Sequence, residues 1–200
     1  MRRARSDSGD FAAQLVSGRT LFESKKFAEA VPYLERARAL FPEYVELDSP
    51  YWFLALIEKQ RGDVKAAARD LTQLTALNEN HVQANLELSG LLDQLGDTTG
   101  SAAALERAIY IYPNDISLHQ RLADRYTSLG SRAEAVRERR AVVAMAPVDR
   151  AEALYQLALA LYQSGDAAGA RHQVLRALED APNFAKAQDL LLKLRSGGGT

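Results

Sequence analysis

The sequence predicts an all-α fold, a right-handed α-solenoid of five helical hairpins closed by a C-terminal capping helix. The first observation is a turn signal, glycine followed by Asp or Ser, at Gly62, Gly96, Gly130 and Gly165, spaced by 34, 34 and 35 residues. The second is the helical period of the apolar residues between these turns. The third is a proline seventeen residues after three of the glycines, at Pro113, Pro147 and Pro182.

Each repeated unit reads as a helix, a glycine turn, a second helix and a stop. Asp63, Asp97 and Asp166 are expected to cap second helices, and Asn80 stands before a first helix. One hairpin cannot bury its own apolar face, so neighbouring hairpins are expected to stack. We place the units at 11–44, 48–81, 82–115, 116–149 and 151–184 and the capping helix at 185–195, with a disordered segment at 1–10 and a flexible tail at 196–200.

The pattern resembles the tetratricopeptide repeat (TPR), a 34-residue helical hairpin. The resemblance rests on the pairs Leu54-Ala55, Leu88-Ser89, Leu122-Ala123 and Leu157-Ala158, on Ala67, Ala135 and Ala170, and on the three prolines. It covers most of the chain and implies a protein-binding scaffold. It does not imply a particular partner, because one fold serves many functions.

The resemblance further implies that the first helices of successive units line a concave groove for a helix or an extended segment of another protein. The groove residues are expected to be Leu15, Arg19, Phe22, Trp52, Phe53, Leu56, Lys59, Leu86, Glu87, Arg121, Asp124, Glu152, Tyr155, Leu159 and Tyr162. Gln120 falls in the same register. Trp52 has three open roles, which are packing on the neighbouring unit, anchoring a partner, and both together.

A charged run from Arg132 to Arg140 is expected to form the solvated convex face of one second helix, with a docking patch for an acidic partner as the alternative. Within it, Arg139 stands where a large apolar residue is expected. The TPR arrangement that holds a C-terminal carboxylate is absent from the first three units, because its places carry Leu15, Arg19, Phe53, Gln83 and Glu87, and Arg121 alone stands in a comparable position.

We expect no enzymatic activity, no cofactor and no metal site in this sequence. It has no cysteine, and His81, His119 and His172 are too far apart to form a metal-binding motif. A net charge of -1 and the lack of a basic stripe disfavour nucleic-acid binding. No apolar stretch is long enough for a membrane span, and none follows the basic N-terminus as a signal peptide requires, so a cytoplasmic location is the default expectation.

Two alternatives to an independent scaffold stay open. A weaker resemblance, through 40–44 and 107–113, is to the repeat tail of bacterial metallopeptidase proteins; it would make the chain an accessory domain of an exported enzyme whose catalytic residues lie elsewhere. The other is a self-assembling scaffold in which one groove takes the end of the next molecule. The alanine- and arginine-rich composition favours a bacterial source.

Overall fold

A computed structural model describes the backbone of residues 2–196 and the side chains from Asp10 to Ser196. Every regular element in this range is an α-helix, which confirms the all-α prediction. The helices are α1 (Arg2–Glu23), α2 (Phe27–Leu40), α3 (Pro50–Gln60), α4 (Val64–Leu77), α5 (Val82–Gln94), α6 (Thr98–Ile111), α7 (Ile116–Leu129), α8 (Arg132–Ala144), α9 (Arg150–Gln163), α10 (Ala167–Asp180) and α11 (Ala185–Ser196).

The helices pair in sequence into five hairpins followed by one C-terminal helix, as predicted. The residues up to Ile111 form one compact unit, which contains the hairpins α1/α2, α3/α4 and α5/α6. The residues from Tyr112 onward form a second unit, which contains α7/α8, α9/α10 and α11. Within each unit, consecutive hairpins pack on one another.

The hairpin turns explain the glycine spacing. The four turn glycines have φ between 73° and 90°, in the left-handed region that costs other residues energy. The first hairpin has no glycine at this point, and Lys25 takes the same conformation with φ 59°. The turn geometry is therefore kept in all five hairpins, and only the first bears the cost of a side chain there.

The N-caps follow the predicted chemistry with one correction. Asp63, Asp97 and Asp166 each accept a backbone N–H three residues on, at 3.0, 2.8 and 2.8 Å. At α5 the cap is His81, and the expectation of Asn80 is wrong. The ring Nδ1 of His81 accepts the N–H of Ala84 at 3.2 Å, because His81 is the residue that directly precedes the helix.

Small residues allow the helices of a hairpin to approach closely. Ala30, Ala67 and Ala170 are completely buried at the crossings, and each belongs to an apolar cluster within its own unit. In the third hairpin the hydroxyls of Ser89 and Ser101 meet at 3.0 Å instead. A polar pair is tolerated there because each hydroxyl supplies the partner that burial would otherwise remove.

The N-terminal end of the chain differs from the sequence-based description. Helix α1 begins at Arg2, so residues 2–10 are helical, although a disordered segment was predicted there. Extending a helix costs little once a packed hairpin has nucleated it, and Asp10 joins Arg36 of α2 across 3.7 Å. Residues 197–200 of the predicted tail lie outside the described residues. Within residues 2–196 no helix is both long and apolar enough to cross a bilayer.

Candidate functional site

Two of the expected groove residues are core residues of the first unit. Leu15 is 6% exposed and Phe53 is 9% exposed, within one apolar cluster. The ring of Phe22 packs against Phe53, with centroids 5.0 Å apart. In α1, Ser17 stands where the later first helices carry Leu54, Leu88, Leu122 and Leu157, and Leu15 supplies a buried leucine two residues earlier.

Trp52 is partly buried and contacts both apolar clusters of the first unit. Its ring lies 5.4 Å from the ring of His81, which is itself buried. The Nε2 atom of His81 is buried without a hydrogen-bond partner. Burial lowers the pKa of His81, because a charged imidazole would lose its hydration there. These contacts explain Trp52 as a packing residue, and its role as an anchor stays a prediction.

The remaining predicted residues of the first unit form a partly exposed surface of charged and apolar side chains. Lys59 of α3 and Glu87 of α5 form a salt bridge of 2.5 Å between adjacent first helices. Arg19 lies 3.7 Å from Glu23 and 3.5 Å from Asp48. Leu56 and Leu86 are intermediate in exposure. The charged residues predicted on this face thus each have an ion-pair partner.

In the second unit, the prediction that Arg139 lies on a solvated convex face is wrong. Its side chain is only 12% exposed and forms an ion pair with Asp124 of α7, so it does not lie on a solvated convex face. The equivalent positions in other hairpins hold the buried residues Leu71, Leu105 and Val174. Arg139 therefore points its stem inward and brings its charge to the first-helix side. Arg121, in the same region, is intermediate in exposure.

Helix α9 carries the other predicted residues of the second unit. Glu152 accepts the side-chain amide of Gln156 at 2.6 Å. The ring of Tyr155 packs edge-on against Phe184 at 5.3 Å, and Leu159 packs against the C-terminal apolar cluster. Tyr162 is exposed at the end of the helix. Glu152 and Tyr155 thus lie side by side on a face that stays partly open.

A hollow of about 310 Å³, here called the α7–α9 hollow, opens between the first helices of the fourth and fifth hairpins. It is lined by Ile116, Gln120, Arg139, Val142, Pro147, Val148, Asp149, Glu152, Ala153 and Gln156. Its surface is mainly apolar, and Val148 at its edge is fully exposed. The chain reaches this edge through Ala146, whose φ of 51° turns Pro147 and Val148 away from α8.

The sequence reasoning found part of this hollow and missed the rest. Register predicts Gln120 and Glu152 in the groove, and Arg139 is a departure from the repeat pattern. The apolar wall of Ile116, Val142 and Ala153 has no distinct sequence signal, because these residues fit the pattern of ordinary core positions. Val148 gives no distinct signal in the sequence, because single exposed apolar residues are common on protein surfaces.

Buried charges elsewhere serve packing. Asp70 accepts Arg38 at 3.0 Å and Arg69 at 3.3 Å, and burial together with Asp70 raises the pKa of the neighbouring Glu58. In the second unit Glu138 lies 2.6 Å from Nδ1 of His119. Among the described side chains, no three His, Cys, Asp or Glu residues are grouped as a metal site would need.

Comparison with known proteins places these features in a family. A family model described as tetratricopeptide repeat matches residues 54–116 and 121–186. No curated protein matches the sequence. Among solved structures, YrrB, described as a TPR protein with an unusual peptide-binding site, is 16% identical with a TM-score of 0.64, and the alignment covers 88% of this chain and 89% of YrrB.

Two MamA structures are also similar. A MamA protein is 19% identical with a TM-score of 0.62, over 90% of this chain and 96% of that one. MamA from residue 41 onward of Desulfovibrio magneticus RS-1 is 15% identical with a TM-score of 0.56, over 85% and 94% of the two chains. At these identities the likeness shows the shared fold.

Proposed function

Because the chain belongs to the tetratricopeptide repeat family, we propose that it is a protein-binding scaffold that takes a segment of a partner protein against the first helices of its second unit. The observation that carries the proposal is the α7–α9 hollow. Its wall is mainly apolar, and it opens beside the side chains of Gln120, Glu152 and Gln156. A solvent-filled apolar hollow is unfavourable for the free protein and favours a ligand side chain that fills it.

The size of the hollow fits a side chain better than a metabolite. About 310 Å³ lies at the lower end of the range for small-molecule clefts. It is large enough for one bulky apolar residue of a bound segment, which is the usual anchor of a peptide interface. The rest of the segment would then run over the partly exposed faces of α7 and α9.

The similarity to YrrB is consistent with peptide binding, since that protein is described as having a peptide-binding site. The support from this chain itself is independent of that description. It consists of the hollow, the exposed Val148 at its edge and the polar residues around its mouth.

The test is selection of peptides from a random display library on the purified protein, followed by affinity measurement with a variant that fills the hollow. Gln120→Trp places an indole at the mouth of the hollow from an exposed α7 position. Gln73→Trp makes the same exchange at an exposed position of α4 in the first unit and serves as the matched control.

The selected peptides should bind the wild type and the Gln73→Trp control equally and bind Gln120→Trp at least tenfold more weakly. A library that yields no binding peptide, or peptides that bind both variants alike, would contradict the proposal. Light scattering measures the molar mass of the free protein at several concentrations and so distinguishes self-association from peptide binding.

A further inference from the structure

Among the residues that line the α7–α9 hollow, acidic side chains are in excess. Its one basic lining residue, Arg139, is already paired with Asp124 and is nearly buried. The two acidic lining residues, Asp149 and Glu152, lie at the start of α9, and Asp149 is exposed. The side of the hollow that faces solvent is therefore acidic, although its interior is apolar.

These two carboxylates retain capacity to bind a cation. Asp149 uses one oxygen to accept the backbone N–H of Glu152 at 2.9 Å. Glu152 uses Oε1 for Gln156, and its Oε2 lies 3.8 Å from the ammonium group of Lys186. Lys186 is 63% exposed on its side chain, and such exposed pairs are weak. A ligand cation can displace this lysine at little cost.

A second hollow, of about 420 Å³, lies on the other side of the same carboxylates. Its lining residues are Asp149, Ala151, Glu152, Ala181, Pro182, Asn183 and Phe184. Ala181 is the C-cap of α10, so the negative end of that helix faces the space and favours a positive charge. This offsets the positive N-terminus of α9, which Asp149 already caps.

Lys186 is not among the lining residues of either hollow, but it shows what a basic side chain near Glu152 can contact. Its ammonium group lies 6.0 Å from the centre of the Tyr155 ring while it approaches Glu152. An aromatic face and a carboxylate together favour a cation more than either does alone. The two hollows thus share the carboxylates of Asp149 and Glu152: the first hollow is apolar, and the second suits a long basic side chain.

We propose that the partner segment carries a bulky apolar residue followed within a few positions by a lysine or arginine. The apolar side chain fills the α7–α9 hollow, and the basic side chain crosses Asp149 and Glu152 into the second hollow. This inference rests on the proposed function, and it adds the chemistry of the partner. It is the reverse of carboxylate recognition, since the protein here supplies the negative charge.

The test uses two synthetic peptides, the tightest binder from the display selection and its analogue with the basic residue replaced by methionine. The variant Asp149→Asn/Glu152→Gln removes both charges, and asparagine still caps a helix. Glu35→Gln/Glu43→Gln removes two exposed carboxylates from the first unit and matches the change in net charge. Melting temperatures verify that both variants fold.

The wild type and the first-unit control should bind the basic peptide about fivefold more tightly than its methionine analogue. The Asp149→Asn/Glu152→Gln variant should bind both peptides with equal, lower affinity. If the control loses the preference as well, the effect is net charge alone and the inference fails. If selected peptides lack a basic residue or show no preference, it fails while the proposed function stands. If no peptide binds at all, the proposed function fails with it.

Discussion

The close contact between α1 and α2 makes a sharp prediction about Gly18. A methyl group on Gly18 would stand 2.7 Å from both Cγ and Cδ2 of Leu34, and 3.3 Å from the backbone nitrogen of the same residue. Leu34 is completely buried and belongs to the core of the first unit. Because Cγ is not the free end of the side chain, the helices themselves must move apart to admit the methyl group.

The magnitude follows from two opposing terms. Overpacking of this kind costs about 2–3 kcal/mol, whereas replacing glycine by alanine inside a helix gains about 1 kcal/mol. Gly18→Ala is therefore expected to lower the free energy of unfolding by about 1–2 kcal/mol. Gly90→Ala in α5 is the matched control, because a methyl group there meets nothing within 4 Å. It should raise stability by about 1 kcal/mol.

Urea denaturation followed by circular dichroism measures both variants against the wild type. The two exchanges are chemically identical and both lie inside helices, so opposite signs would isolate the contact with Leu34. A Gly18→Ala variant as stable as Gly90→Ala would refute the packing of α1 on α2.

Three further predictions follow from the described side chains. Burial lowers the pKa of His81 in the folded protein below the pKa of histidine in the unfolded chain, so the free energy of unfolding should be highest above about pH 6.5 and fall as the pH drops below it. His81→Asn can still cap α5, and it should reduce this fall in urea titrations at different pH. Trp52→Ala should cost about 3 kcal/mol of stability in denaturant titrations, because the indole contacts both clusters, and leave affinity for the selected peptide unchanged. Arg139→Ala should cost about 1–2 kcal/mol, because its buried stem and the pair with Asp124 are lost together.

Each of these has a clear contrary result. A pH dependence that is the same in His81→Asn and the wild type would remove His81 as its source. Peptide affinity that falls with Trp52→Ala in fully folded protein would place part of the partner on the first unit. If Arg139→Ala is as stable as the wild type, the Arg139 side chain lies on the solvated face after all.

The sequence predicts the repeated parts of this fold well, because their causes are local. The left-handed turns at the four glycines and the aspartate caps each follow from two or three neighbouring residues. The differences from the sequence-based expectation arise where single residues depart from the repeat pattern. Leu15 is buried in a helix whose Ser17 stands where the later first helices carry leucine, and His81 caps α5 because its ring fits the place of an oxygen acceptor.

The site was less predictable than the fold. Register predicts that Glu152 and Gln120 share one face, and both line the hollow, but a hollow is space between side chains and has no residue pattern of its own. It exists because Ala153 is small, Val142 lies deep and the turn at Ala146 carries Val148 to the edge. The depth of a side chain and the course of a turn are properties of the folded structure, and a repeat pattern does not encode them.

The most direct test of the central claim is a methyl NMR titration of the protein with the selected peptide, with isoleucine, leucine and valine methyl groups labelled. The site predicts shifts first and most strongly at Ile116, Val142 and Val148, which line the hollow. The methyl groups of Leu56 and Leu86, on first helices of the other unit, should be unaffected. Strong shifts at Leu56 and Leu86 with none at Val148 would contradict the account and place the partner on the first unit.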